Sequence, residues 1–294
     1  MTSVTRLAWL QLAATIVLFG LTWPVIKIGL EAATPVWLAA GRATMSALTA
    51  FALLAALGRL SWPHRADWPV ILSVGGLQLT CFFAFSNLGV LSLPAGRSSV
   101  LAYTTMLWMV PLSLVAGERV SPRAIAGATL GVIGIVALAD PQRFDWHDRR
   151  IVLGHVYLLL AGFSWAIAMM HTHRHEWRGT PLDALPWQMG VATVLLWILA
   201  ILLEPQGHLD GEAWQVWTAL IYMGVIAGPT ATWAAVSVTR ALPPITTSLG
   251  MLGVPLLGIA SSLVLLGEPV TVSLAIGTAL VLAGMAIVIL ERAR

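Results

Sequence analysis

Residues 93–120 read LPAGRSSVLAYTTMLWMVPLSLVAGERV, and residues 242–270 read LPPITTSLGMLGVPLLGIASSLVLLGEPV. Each stretch opens on Leu-Pro followed by hydroxyl-bearing residues and closes on a Gly-Glu-X-Val turn. Between these marks each is apolar for about the 20 residues that a helix needs to cross the hydrocarbon core of a bilayer. The agreement continues past the turn. Gly127 and Gly134 stand nine and sixteen residues after Glu118, and Gly277 and Gly284 stand nine and sixteen after Glu268. A shorter echo lies upstream, where Gly20-Leu-Thr-Trp23 matches Gly162-Phe-Ser-Trp165. The chain therefore reads as two copies of one unit.

Ten stretches have the length and apolarity of a membrane span with at most one charge: residues 7–26, 36–57, 68–88, 98–116, 124–139, 151–170, 184–203, 214–236, 245–266 and 272–290. In lipid no water can satisfy a bare N–H or C=O, so each run is expected to be helical. The most polar connection, 140–150, holds Asp140, Arg143, Asp145, Asp148, Arg149 and Arg150 and splits the runs five and five. A unit with an odd number of spans enters the membrane from opposite sides in its two copies, which makes the halves inverted repeats. The expected fold is all-α and integral to the membrane, with ten transmembrane helices. Residues 1–139 form the first five-helix repeat, 140–150 a polar linker, and 151–294 the second repeat.

Composition agrees. Of 294 residues 58% are hydrophobic and 10% charged, far below the roughly 25% charge of a soluble domain, so a water-facing surface could not be covered. Many of the fourteen Trp flank apolar runs, among them Trp9, Trp37, Trp62, Trp68, Trp146, Trp177, Trp187 and Trp214, where amphipathic rings favour the headgroup layer. The 16 basic residues are scattered along the chain, mostly singly, which argues against a nucleic-acid-binding face. The lone Cys81 allows no disulfide framework and no thiolate metal site. No phosphate-binding loop is present to couple ATP, and the first run lacks the design of a cleaved signal peptide. With ten spans both termini share a side. That side carries Arg6, Arg59, Arg65, Arg119, Arg123, Arg174, Arg178, Arg240, Arg292 and Arg294, against Lys27, Arg42, Arg97, Arg143, Arg149 and Arg150 opposite. The excess predicts cytoplasmic termini.

These residues carry a resemblance. A Trp-bearing first span followed by Lys27, Arg42 early in the second, the Pro94-to-Ser99 start of the fourth and the Gly-Glu turns at Glu118 and Glu268 resemble an EamA-type member of the drug/metabolite transporter superfamily. The likeness runs along essentially the whole chain. Within the superfamily, Leu93 to Ser99 and the wealth of Trp look most like the bacterial aromatic amino-acid exporters. The resemblance implies inverted repeats around a central cavity and export of neutral, aromatic amino acids across the bacterial inner membrane by alternating access. It also implies no cofactor or metal and no nucleic acid, with membrane lipid and a small-molecule solute as partners and a monomer sufficient. One departure stands out. Pro255 precedes Glu268 by thirteen residues whereas Pro111 precedes Glu118 by seven, so helices four and nine are expected to kink at different places.

An aromatic solute calls for aromatic and sulfur-bearing walls with a few polar atoms. The mid-span candidates for substrate binding are Trp23, Gln78, Tyr103, Met106, Trp108, Trp165, Tyr222 and Trp233, each weighed against plain helix packing. Gating or helix-start candidates are Lys27, Arg42, Arg97, Ser98, Ser99, Thr246 and Thr247. Lys27 either snorkels to the interface or meets Glu31 or a substrate carboxylate. Arg42 is too deep for lipid and is either structural, with Glu31 as partner, or in contact with substrate. The hydroxyls after Pro94 and Pro244 are ordinary helix-start chemistry, or they mark positive dipole ends facing the solute. Glu118 and Glu268 read as turn formers. His171, His173 and His175 alternate and do not share a helix face, so they make no metal tract. Two other activities remain to be weighed. Efflux of drug-like cations or other small metabolites would want an acid in the cavity, and an intramembrane enzyme on a lipid-linked substrate would want His, Asp or Glu gathered at one depth.

Overall fold

The computed structural model describes residues 3–140, 147–242 and 244–292, with side chains left undescribed at 3–5, 181, 235–237, 239–241, 244–245 and 292. Most of the linker expected at 140–150, including Arg143, Asp145 and Trp146, lies outside the described residues, as do Pro243 and Arg294.

Ten helical passages follow one another: α1 (Ser3–Gly29), α2 (Pro35–Ala56), α3 (Arg65–Ser92), α4 (Ala95–Val115), α5 (Pro122–Ala139), α6 (Arg149–Arg174), α7 (Pro181–Leu203), α8 (214–241), α9 (244–266) and α10 (Val272–Arg292). Among the described residues nine are long and apolar enough to cross a membrane. The tenth, α8, is helical from Trp214 to Ala241 and has side chains left undescribed along its second half. Large apolar side chains such as Val115, Leu202 and Val264 point outward, as lipid-facing surface requires.

Packing respects a two-fold relation between the halves. α1 lies against α8 and α9, and α6 lies against α3 and α4; α2 pairs with α7, and α5 with α10. The irregularities are shared too. α3 carries a π segment, Val74–Cys81, packed on α6 and α7, while α8 carries one at Ile221–Ala227, packed on α1 and α2. α4 breaks at Tyr103–Thr104, ten residues past Leu93, and α9 breaks at Leu252, ten past Leu242. The proline offset had predicted breaks at different places, and they coincide. In α4 the Thr104 hydroxyl donates to the Leu101 carbonyl at 2.7 Å, opening the helix ahead of Pro111. In α9 Pro255 removes the N–H that residue 251 would have bonded.

The pair α5 and α10 shows why the glycine spacing recurs. A Cβ built on Gly284 would sit 2.5 Å from the Gly127 carbonyl oxygen, and one on Gly127 would sit 2.9 Å from that of Gly284. Gly134 and Gly277 approach in the same reciprocal way, at 2.9 Å each. The position nine past one Glu therefore meets the position sixteen past the other, twice, as two antiparallel helices related by a two-fold axis must. Gly284→Leu should force these backbones apart at a cost of about 1–3 kcal/mol, seen as a lower melting temperature in detergent. The exposed Gly211, whose Cβ would meet nothing within 4 Å, should tolerate Ala unchanged.

Candidate functional site

A cavity of about 1150 Å³ lies between the halves. Its walls come from α1 (Phe19, Trp23, Ile26), α2 (Arg42), α3 (Leu79, Phe83), α4 (Tyr103, Met106), α6 (Trp165, Met169) and the start of α9 (Thr247, Met251). Its mouth is ringed by Glu118, Arg119, Ser121, Arg174 and Glu291, on the face where α10 ends. Polar contacts hold this rim. Glu118 pairs with Arg174, and Glu291 accepts from Ser121 Oγ at 3.0 Å and stands 3.5 Å from Arg123.

The opposite face is shut by contacts between the halves and by one within the first. The Glu268 carboxylate, in the turn after α9, accepts from the backbone N–H groups of Ala95 and Gly96 at 2.7 and 2.9 Å, which caps the start of α4. Glu204, ending α7, does the same for α2, accepting from Val36 N at 3.1 Å. Both carboxylates lie at the positive ends of helix dipoles. Lys27 Nζ donates to the Val90 and Leu93 carbonyls at 2.7 and 3.1 Å, tying the end of α1 to the end of α3. Short backbone bonds, Thr34 N to His208 O at 3.0 Å and Asp210 N to Ala32 O at 3.0 Å, complete the seal.

The floor of the cavity lies just inside this seal. There Trp23 and Tyr103 meet edge to face with ring centroids 6.3 Å apart, and farther toward the mouth on α6 Trp165 meets Phe82 at 4.8 Å. Arg42, 6% exposed, lays its guanidinium carbon 3.8 Å from the Phe83 ring centroid.

The residues singled out from sequence divide as follows. Trp23, Arg42, Tyr103, Met106, Trp165 and Thr247 are on the cavity wall. Gln78 is half-buried in the π segment of α3 and off the wall, where its neighbour Leu79 stands instead. Tyr222 is also off the wall and donates its hydroxyl to the Leu18 carbonyl at 2.8 Å. Trp233 is 46% exposed and Trp108 packs on Phe163, so neither is on the wall. Lys27 belongs to the seal, and Arg97 lines a small crevice beside Glu268. Ser98 and Ser99 are buried and bond the Pro94 and Gly96 carbonyls, while half-buried Thr246 is off the wall. His175 Nε2 lies 2.9 Å from Asp67, and no group of three or more His, Cys, Asp or Glu among the described residues could hold a metal.

Both halves match the model of the EamA-like transporter family, at residues 6–139 and again at 152–290. The chain belongs to that family. An EamA-like protein is a multi-pass membrane transporter and not an enzyme. Among relatives, a "Probable amino-acid metabolite efflux pump" of Salmonella typhimurium is 27% identical, with 92% of this chain and 90% of its own length covered. The "Uncharacterized transporter YvbV" of Bacillus subtilis is 25% identical over 97% of this chain and 92% of its own. The "Aromatic amino acid exporter YddG" of Ancylobacter novellus is 26% identical over 55% of each chain. One solved crystal structure superposes with a TM-score of 0.61 at 24% identity, covering 97% of this chain and 98% of its own, a likeness that speaks to fold alone.

The sequence reading passed over much of this EamA-like wall. Seven methionines among the described residues line it, Met109, Met169 and Met251 included, and thioethers make an adaptable apolar surface. A second missed signal is the Thr-Pro pair that opens both α2 (Thr34-Pro35) and α7 (Thr180-Pro181). Seven residues past each proline stand Arg42 and Gln188, so the buried cation has a neutral counterpart in the other half.

Glu268→Gln weakens a charged cap worth about 1–3 kcal/mol, so the sealed face should open more often. In a Cys81→Ala background, a cysteine placed at the cavity residue Thr22 should then react faster with a membrane-impermeant maleimide added on the Lys27 face.

Proposed function

We propose that this chain exports neutral amino acids, aromatic ones foremost, across the bacterial inner membrane by alternating access. On this reading both termini are cytoplasmic, a monomer suffices, and residues 1–139 and 151–294 are the two repeats that rock about the cavity. The observation that carries the proposal is a cavity walled by aromatic rings and thioethers, open on the face of the termini and sealed on the other. Its volume of about 1150 Å³ exceeds the roughly 300–1,000 Å³ of enclosed ligand sites, as expected of a chamber with an open mouth. The names of the Salmonella typhimurium and Ancylobacter novellus relatives point to the same solutes. A cation-efflux reading has less support, because the acids on the wall, Glu118 and Glu291, stand at the mouth and are engaged there.

The mechanism follows from what each contact costs. With the cytoplasmic mouth open, a zwitterion enters a wet chamber and lays its ring against Trp23, Tyr103 and Trp165. Closing the mouth around it releases the opposite seal, whose carboxylate caps and lysine contacts exchange for water at modest net cost. Transport of a net-neutral solute down its own gradient needs no proton carrier.

Proteoliposomes holding the purified chain should show counterflow of radiolabelled phenylalanine and tryptophan above empty vesicles, and none of an unrelated sugar. Equal rates with and without protein would sink the amino-acid reading. Tyr103→Ala, which removes a floor ring worth about 0.5–1.5 kcal/mol in an aromatic pair, should raise the KM for phenylalanine several-fold while leaving that for leucine nearly unchanged.

A further inference from the structure

Helix packing accounts for most of the cavity wall but not for Arg42. Its side chain is 6% exposed and stands seven residues past Pro35, about 10 Å along the helix axis from the sealed face. A guanidinium at that depth is expensive unless paired. Among the described residues no carboxylate lies within ion-pair distance. Glu31, the partner considered from sequence, is exposed and does not pair with it. The Arg42 Nε has no hydrogen-bond partner, and the Phe83 ring meets the cation on one face only. Nor does the fold require a charge here, since the other repeat places Gln188 at the matching position. What remains open to Arg42 is the cavity it lines.

We infer that Arg42 is the anchor for a substrate carboxylate, so that the cavity takes organic monocarboxylates with an apolar or aromatic tail and does not require the amino group. The inference rests on the transport reading above and narrows its substrate class. A guanidinium presents two parallel N–H donors that match a carboxylate, a geometry that an ammonium or a water cannot complete. Trp23 and Tyr103, beside it on the floor, take the tail. Among the described residues no acid stands at the floor to balance a substrate ammonium, because the wall's carboxylates are at the mouth. The amino group of an amino acid is therefore left toward water. A carboxylate lacking the amine keeps every contact, and an amine lacking the carboxylate meets an unpaired cation of its own sign.

The test uses the full chain in lipid nanodiscs, with binding read from the fluorescence of wall residues such as Trp23 and Trp165, and three probes: L-phenylalanine, 3-phenylpropionate and 2-phenylethylamine. The two carboxylates should bind with affinities within about tenfold of each other, and the amine about a hundredfold more weakly. Arg42→Gln, which copies the residue of the other repeat, should weaken both carboxylates about tenfold or more, with elution volume and melting curve retained. Arg42→Lys, keeping charge without the fork, should lie between. The inference is overturned if the amine binds as tightly as the acids, or if a folded Arg42→Gln protein binds 3-phenylpropionate like the wild type. Should Arg42→Gln not fold, the wild-type probe series and Arg42→Lys decide. The two readings fail separately. Phenylalanine counterflow indifferent to Arg42 would remove the anchor and leave the exporter. Arg42-dependent binding of 3-phenylpropionate without phenylalanine transport would do the reverse.

Discussion

A helix that starts inside a membrane protein leaves backbone N–H groups without partners, and hydrocarbon offers none. Here that constraint is met across the halves. Glu268 of the second repeat caps α4 of the first, and Glu204 caps α2. Lys27 closes the complementary account at the other polarity, its ammonium meeting the carbonyls that end α3. Each contact is local dipole chemistry, and each joins two elements distant in sequence. Together they shut one face, and a chamber shut on one face is what makes the space between the repeats a site. Inversion of the repeats supplies the geometry, since it brings turn carboxylates of one half beside helix starts of the other.

Symmetry explains the scaffold, and departures from it mark the chemistry. The reciprocal glycine pairs, the twin π segments and the coincident breaks at Tyr103 and Leu252 all obey the two-fold relation. Arg42 opposite Gln188 does not. Neither does Tyr103, whose counterpart is Leu252, although Trp23 and Trp165 do match. A duplicated fold gives two equivalent places for every side chain, and a solute with a head and a tail can use only one of them.

Lipid makes the architecture easy to read from sequence, because length and apolarity leave few alternatives for each run. Turn spacing then disclosed the duplication, and the glycines nine and sixteen past each Glu proved to be the crossing point of α5 and α10. Facing was harder. A helix that is apolar all round has no period to show which side looks inward. Trp23, Tyr103 and Trp165 stand on the wall, whereas Tyr222 and Trp233, equally plausible by composition, do not. Gln78 fell to a second cause. It sits in a π segment, where the Thr80 hydroxyl reaches the Gly75 carbonyl five residues back, and the wider turn rotates the register away from an α-helical wheel. Glu204 could not be found as a cap of α2 because the partners are 168 residues apart in the chain.

The materials of the two faces fit alternation on the proposed reading. A seal built from large apolar contacts would expose that area to water at each opening, at about 25 cal/mol for every Å², and a few hundred Å² would exceed what binding of one amino acid can return. Carboxylate caps and ammonium-to-carbonyl bonds behave differently, since water replaces each lost partner and the net cost per bond falls to about 0.5–1.5 kcal/mol, somewhat more where a charge is involved. A handful of such bonds holds a face closed while keeping open and closed states within a few kcal/mol of each other. That gap is small enough for solute binding to tip, provided the solute binds one state better than the other. Polar latches around an apolar chamber are therefore the economical division of labour. Oily surface holds the ring, and contacts that water can replace hold the door.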